Sequence, residues 1–248
     1  MIVPALTIIY GFTAQQSAAI SLVGIATASS YAASYFIRRD MVNIKLGVIL
    51  LVGTVIGSVS GALVAVLIEE WILLGLFSLV VLYSAFYMIR NPERLSLPIP
   101  DDLSTKTSFV YSNRMDVTRD FVQYRAKRVP SSIGICAISG ALSSLIGIGG
   151  GSVNVPVMNV WMGIPMKIST STSSFIISVT AMSGAIIYYL GGTLLPIVAV
   201  AVALGMFVGS YVGSHSVRYF DTRSMRRYFS AFMAFIAVIS LLKAGGFL

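Results

Sequence analysis

The sequence predicts an all-α polytopic membrane protein made of two inverted-topology helical repeats, each a broken or hairpin first helix followed by three spanning helices. Three observations carry this prediction. Of the 248 residues, 56% are hydrophobic and only 10% charged, more apolar surface than a soluble domain can hide. The second half of the chain repeats the first without a gap over long stretches. The charges of equivalent loops reverse between the halves, as they do when a repeat is inserted upside down.

Apolar stretches run over 1–12, 14–36, 44–68, 71–89, 131–146, 152–163, 168–190, 193–215 and 228–248. Crossing a ~30 Å hydrocarbon layer takes roughly 20 residues of helix, so 1–12 and 152–163 are too short to cross alone. Helices are the expectation because barrel strands read as alternating segments of about ten residues, and no such alternation is seen. The polar stretch 90–130 carries Pro92, Pro98, Pro100 and a dense mixture of basic and acidic residues. It reads as a linker with a short surface helix near Met115–Lys127. The expected organisation is an N-terminal transmembrane repeat (1–90), a cytoplasmic linker (91–130) and a C-terminal transmembrane repeat (131–248). No basic leader or small-residue cleavage site is visible after Met1, so insertion is expected to rely on the spans themselves.

At a shift of 152 residues Val3 falls on Val155, Pro4 on Pro156, Gly11 on Gly163, Ser17 on Ser169 and Ser21 on Ser173. The register continues through Gly53 and Gly205, Gly57 and Gly209, Ser58 and Ser210, and Gly61 and Gly213. Loop 37–45 contains Arg38, Arg39 and Lys45, whereas its counterpart near Gly191-Gly192 has no charge. The next pair reverses this bias: Glu69 and Glu70 stand opposite Arg218, Arg223, Arg226 and Arg227. Under the positive-inside tendency, equivalent loops lie on opposite faces.

That orientation requires residues 131–163 to enter the membrane and return, as two short half-helices with a turn at Gly147-Ile-Gly-Gly-Gly151. Non-helical backbone at membrane depth persists only where protein or a polar cavity satisfies its amides, which makes this turn the leading site candidate. A helix starting near Ser152 would present N–H donors and a positive dipole end suited to an anion. Gly149, Gly150, Gly151, Ser152 and Asn154 are therefore expected at the site. Asn154 and Asn159 are the amides of an otherwise apolar run and each needs a polar partner. Hydroxyls crowd the next helix, Ser169 to Ser174, and its repeat partner near Ser17 and Ser21. Many are expected to bond to carbonyls one turn back or to let helices approach. Ser21, Thr172 and Ser173 are the expected cavity-lining set, and Lys167, beside the hairpin's return end, is placed to attract anions. The ridges Gly53/Gly57/Gly61 and Gly205/Gly209/Gly213 read as helix-packing surfaces.

Several function classes are excluded or disfavoured. The net charge of +8 sits in short segments between apolar runs, where it sets orientation rather than binding nucleic acid. The glycine turn has apolar flanks, no preceding strand and Ser152 at its sixth position, unlike a dinucleotide loop. No Asp, Glu, Lys, Arg or His falls at a span centre, which leaves no metal site, little for a proton relay, and no base for a serine nucleophile; His215 sits at a span end. The single Cys136 reads as a small buried hydrophobe. No cofactor is expected.

Gly147-Ile-Gly-Gly-Gly151, Val155-Pro156, Gly163, Thr172-Ser173, Ser183-Gly184 and the Gly205/Gly209/Gly213 ladder resemble the TauE/SafE sulfite-exporter family, over roughly 1–90 and 131–248. The resemblance implies a multi-pass permease of the cell membrane, not an enzyme. It would move sulfite, a sulfonate or a related sulfur-containing anion by alternating access. Its partners would be that anion, the lipid bilayer and a coupling ion, Na⁺ or H⁺; homo-oligomerisation is compatible with it. A second glycine turn is expected just before Met1 and is absent. The chain either starts late or keeps one complete hairpin, with the other reduced to residues 1–12. A non-transporting scaffold or sensor that recruits a partner through the basic linker is the alternative.

Overall fold

A computed structural model of the chain describes residues 2–65, 67, 68, 72, 75, 110–114, 121–147 and 149–216. The expected spans 71–89 and 228–248, the Glu69-Glu70 and 217–227 loops and most of the linker lie outside the described residues. Helices α1 (Ile2–Ile9), α2 (Ala14–Ile37) and α3 (Ile44–Ala65) come first, followed by strands β1 (Val110–Arg114) and β2 (Phe121–Arg125). Then come α4 (Val129–Ile146), α5 (Gly151–Pro156, continued by a π-helical turn over Val157–Trp161), α6 (Met166–Leu190) and α7 (Pro196–Ser216).

Local chemistry sets the helix ends. Thr13 and Gln16 form a reciprocal capping box at the start of α2, satisfying amides that a helix start leaves open. Pro130 lies in the first turn of α4, where its missing N–H costs nothing. At the other end Gly147 caps α4 in the left-handed region, its N–H donating to the Ser143 carbonyl at 2.8 Å. Pro156 lies within α5 and cannot donate back along the helix, and the ladder widens to a π turn directly after it.

Among the described residues, five helices are long and apolar enough to cross a membrane: α2, α3, α4, α6 and α7. Their outward faces are apolar, with Ile197 88% and Val208 61% exposed, a surface stable against lipid rather than water. The chain is therefore an all-α polytopic membrane protein. One buried cluster joins Leu46, Leu50, Cys136, Met158, Met162, Ile168 and Ile176; another joins Ala18, Ala19, Leu22, Ala62, Ala181 and Tyr188.

Helix bounds follow the sequence repeat. Shifted by 152, α2 becomes 166–189 and α3 becomes 196–217, within one residue of α6 and α7. Gly11 and Gly163, equivalent in the same register, both take positive φ, at 68° and 75°. Pairings also fix relative direction. Gly47 meets Thr172 and Phe175, Thr54 accepts from Thr180, and Ser183 donates to Ser58, so α3 and α6 ascend together. In the same way Gly24 meets Met206, Ser210 donates to the Ala28 carbonyl, and the Tyr35 ring contacts His215, so α2 and α7 run parallel.

The first glycine ridge lies against α4. A Cβ on Gly53 would lie 2.6 Å from the Ile133 carbonyl oxygen, and on Gly57 and Gly61 it would collide with the Ala137 and Ala141 carbonyls. The ridge thus carries the backbone of α4 one turn at a time. Gly205, Gly209 and Gly213 meet no described atom within 4 Å. Gly205 and Gly209 instead border an open groove of about 500 Å³ with Ala28, Ala32 and Ser174.

Two expectations need correction. Within the expected short surface helix near Met115–Lys127, the described part is not helical: Phe121–Arg125 is a strand, paired antiparallel with Val110–Arg114 so that Tyr111 faces Tyr124. Both segments contain β-branched and aromatic residues, Val110 and Tyr111 in one and Phe121, Val122 and Tyr124 in the other, which suit a pleated surface. The first arm of the hairpin is not a half-helix either. At 18 residues and a rise of 1.5 Å per residue it extends about 27 Å.

Candidate functional site

The re-entrant path is visible in its contacts. Gly150 sits beside Ser139 and Ser143, well inside α4. Eleven residues later Trp161 donates from its indole nitrogen to Ser131 at the first turn of α4, 3.2 Å away. Lys127 N–H donates to the Met162 carbonyl at 3.1 Å. The chain therefore enters along α4, turns at the glycines and returns to the side from which it came.

Glycine is required at the turn. Gly147, Gly149 and Gly150 have φ of 71°, 85° and 69°, a region that costs other residues about 1–2 kcal/mol. A Cβ on Gly150 would also stand 3.4 Å from Ser139 Oγ and 3.5 Å from Asn154 Nδ2, inside the space those side chains enclose. Ser21 of α2 donates to the Gly147 carbonyl at 2.7 Å, and Ser139 donates to the Gly150 carbonyl at 3.2 Å. The N–H groups of Val153 and Asn154 donate to the same Gly150 carbonyl; those of Gly151 and Ser152, in the first turn of α5, have no acceptor within the helix.

Three side chains around this turn are buried without a hydrogen-bond partner: Ser143 Oγ on α4, Asn154 Oδ1 on α5 and Ser173 Oγ on α6. Their residues are 2%, 1% and 1% exposed. An unsatisfied buried polar group costs about 1–3 kcal/mol, and here three elements carry such groups beside the adjacent Gly150 and Gly151. Ser173 is also the polar side chain nearest to a Cβ on Gly151, at 3.9 Å. Most other hydroxyls of α2 and α6 are engaged locally. Thr27, Ser30, Thr170, Ser171 and Ser174 each donate to the carbonyl four residues back. Ser58, Ser144, Thr180 and Ser183 form a bonded cluster between α3, α4 and α6.

The expected residues thus separate into roles. Gly149, Gly150, Gly151, Asn154 and Ser173 come together. The Ser152 backbone opens α5 with them, while its side chain lies outside the described residues. Ser21 holds the turn from behind. Thr172 faces another way, accepting from the Asn43 N–H at 3.1 Å. Lys167 is half-buried at the start of α6, ~9 Å along the helix axis from Ser173. Asn159 is satisfied by the Ile164 carbonyl. Ser139 and Ser143 were absent from the expected set. Their signal is two hydroxyls four residues apart on the helix leading into the turn, which places them on one face.

No group of three or more His, Cys, Asp or Glu able to hold a metal occurs among the described residues. What these elements define is a polytopic helical membrane protein with a re-entrant hairpin and a group of buried, uncharged polar side chains around its turn. The family model described as "Sulfite exporter TauE/SafE" matches residues 1–239, and the chain belongs to that family of membrane transporters. It is 28% identical over 196 residues to the Bacillus subtilis (strain 168) protein described as "Probable membrane transporter protein YunE", covering 77% of this chain and 67% of that one. No solved structure matches the chain.

Proposed function

We propose that the protein is a secondary transporter of a small sulfur-containing anion, sulfite or a sulfonate, working by alternating access across the cell membrane. The observation that carries this reading is the convergence of Ser143 Oγ, Asn154 Oδ1 and Ser173 Oγ, buried and unpartnered, on a glycine turn within a transporter family. Hydroxyl donors, the backbone N–H groups of Gly151 and Ser152, and the Asn154 amide turned to present its Nδ2 would replace water around an oxyanion. A neutral donor set holds the anion by hydrogen bonds and releases it more readily than a fixed guanidinium would. Lys167 would raise the local anion concentration at the approach.

The alternating-access part of the proposal draws on inverted repeats. Helices α2 and α3 are joined by a short connection and run antiparallel, α3 is parallel to α6, and α2 is parallel to α7. Repeat-equivalent helices therefore point in opposite directions, with the basic 38–43 connection on the side taken as cytoplasmic. On this reading residues 1–90 and 131–248 are the two repeats, and 91–130 is a cytoplasmic linker. A coupling ion, Na⁺ or H⁺, belongs to the same proposal.

A thermal-shift titration of the detergent-purified protein with sulfite, sulfate, thiosulfate, a sulfonate, acetate and chloride, in Na⁺ and in choline buffers, tests it. Selective stabilisation by a sulfur oxyanion or sulfonate is expected, rising by about 2.7 kcal/mol at a hundredfold excess over Kd. Gly150→Val should remove that shift and transport while the protein still reaches the membrane. A ligand shift retained in this variant refutes the site. No shift with any anion refutes the substrate class.

A further inference from the structure

We propose that the β1–β2 hairpin is the cytoplasmic closure of the transport path, latched by Tyr124 and Asn43 onto the helix that carries Ser173. The inference rests on the transport reading above. Its starting point is that a polar linker would be expected to lie in solvent, yet Tyr124 is 2% exposed. Its ring packs in the same cluster as Leu46, Leu50, Met158, Met162 and Ile168, residues of α3, of the π turn and the position after it, and of α6.

The polar atoms of the hairpin are equally engaged. Asn43 Nδ2 donates to the Tyr124 hydroxyl at 2.7 Å, and that hydroxyl donates to Asn113 Oδ1 at 2.7 Å. Asn113 Nδ2 donates to the Asp40 and Val42 carbonyls, each at 3.1 Å. Asn43 is itself fixed at both ends: its Oδ1 accepts from Leu46 N–H, and its own N–H donates to Thr172 Oγ1 at 3.1 Å. A continuous chain of hydrogen bonds therefore runs from the hairpin through the α2–α3 connection to Thr172, the residue before the unpartnered Ser173. Just beyond β2, Lys127 N–H donates to the Met162 carbonyl, and the Arg128 guanidinium lies 4.7 Å over the Trp161 ring. The linker so joins one end of the first repeat to the end of the re-entrant arm and the start of α6.

These are the elements that must separate if the pocket is to open on this side. These hydrogen bonds join neutral groups at 2.7–3.1 Å, and the Tyr124 phenol, which burial pushes further above its ordinary value, is protonated at physiological pH in any case. A set of several weak bonds in series can be closed at rest and still break together when the repeats move. Tyr124 and Asn43 are thus positioning residues, acting on the site through Thr172.

Cys136, the chain's single cysteine, lies fully buried in the cluster that Tyr124 covers and reports on the closure. In inside-out vesicles holding the full chain, Tyr124→Phe keeps the ring and removes the hydroxyl, and Asn43→Ala removes the next link. Labelling of Cys136 by a membrane-impermeant maleimide should rise by ~10-fold or more in each, as a shifted open population requires. Labelling that stays at the wild-type rate in both variants overturns the proposal. A second arm uses Asn113→Cys with Val42→Cys in a Cys136→Ser background and a short, reducible bis-thiosulfonate cross-linker. Cross-linking should stop uptake of radiolabelled sulfite and reduction should restore it; uptake that continues with the cross-link complete also overturns the latch. If the reduced protein moves no sulfur oxyanion or sulfonate, the transport reading fails, and the labelling result still decides whether the hairpin closes this face.

Discussion

Ser21 and Ser173 occupy the same place in their repeats, yet Ser21 donates to the Gly147 carbonyl while Ser173 is buried with no partner. The difference lies in what faces each serine. Ser21 faces the Gly147 carbonyl, whereas Ser173 lies beside Gly151. The shared register therefore sets where a side chain stands, and its surroundings set what it bonds: one serine holds the turn, the other has no partner among the described residues. The glycine ridges teach the same lesson. Gly57 lies against the Ala137 backbone, whereas its equivalent Gly209 borders a groove that no described residue fills.

The ridges offer the largest test of this contrast. Gly57→Val has no room against a backbone carbonyl and should destabilise by about 3 kcal/mol or more, seen as loss of monodisperse protein in detergent or a fall of many degrees in Tm. Gly209→Val should leave Tm within a few degrees; an equal loss at both positions would show that the second ridge is packed as tightly as the first. The serine pair gives a smaller effect with opposite signs. Ser21→Ala strands the Gly147 carbonyl and should cost about 1–3 kcal/mol. Ser173→Ala removes an unsatisfied hydroxyl and should leave stability unchanged or raise it by up to about 1 kcal/mol, while weakening the anion-induced shift. If both variants lose stability equally, Ser173 is a structural residue. Smallest is Lys167→Gln, expected to slow anion uptake about two- to threefold at low salt and to matter little above ~0.15 M, where the Debye length falls to about 8 Å.

Much of this was legible in the amino-acid order. Span positions, the repeat register and the glycine turn follow from hydropathy, spacing and residue type, because a membrane forces apolar length and backbone satisfaction onto any chain that crosses it. Gly150, Asn154 and Ser173 stood out because polar or flexible residues are conspicuous in apolar surroundings. Ser139 and Ser143 did not, since a serine that back-bonds to its own helix and one that faces a cavity look alike in sequence. The linker misled for a related reason. Its charges and prolines obscured two five-residue strands, and strand formation there depends on burying Tyr124 against helices distant in sequence.

By itself the sequence determined that this chain lies in a membrane, that it repeats itself, and where it breaks to turn back, since each follows from local composition and period. Only the tertiary structure decided which hydroxyls are satisfied and which are left open, that the first glycine ridge carries α4, and that the linker hairpin seats its tyrosine among the helices. Those outcomes depend on which elements meet, and hydrogen-bond satisfaction is a property of neighbours in space.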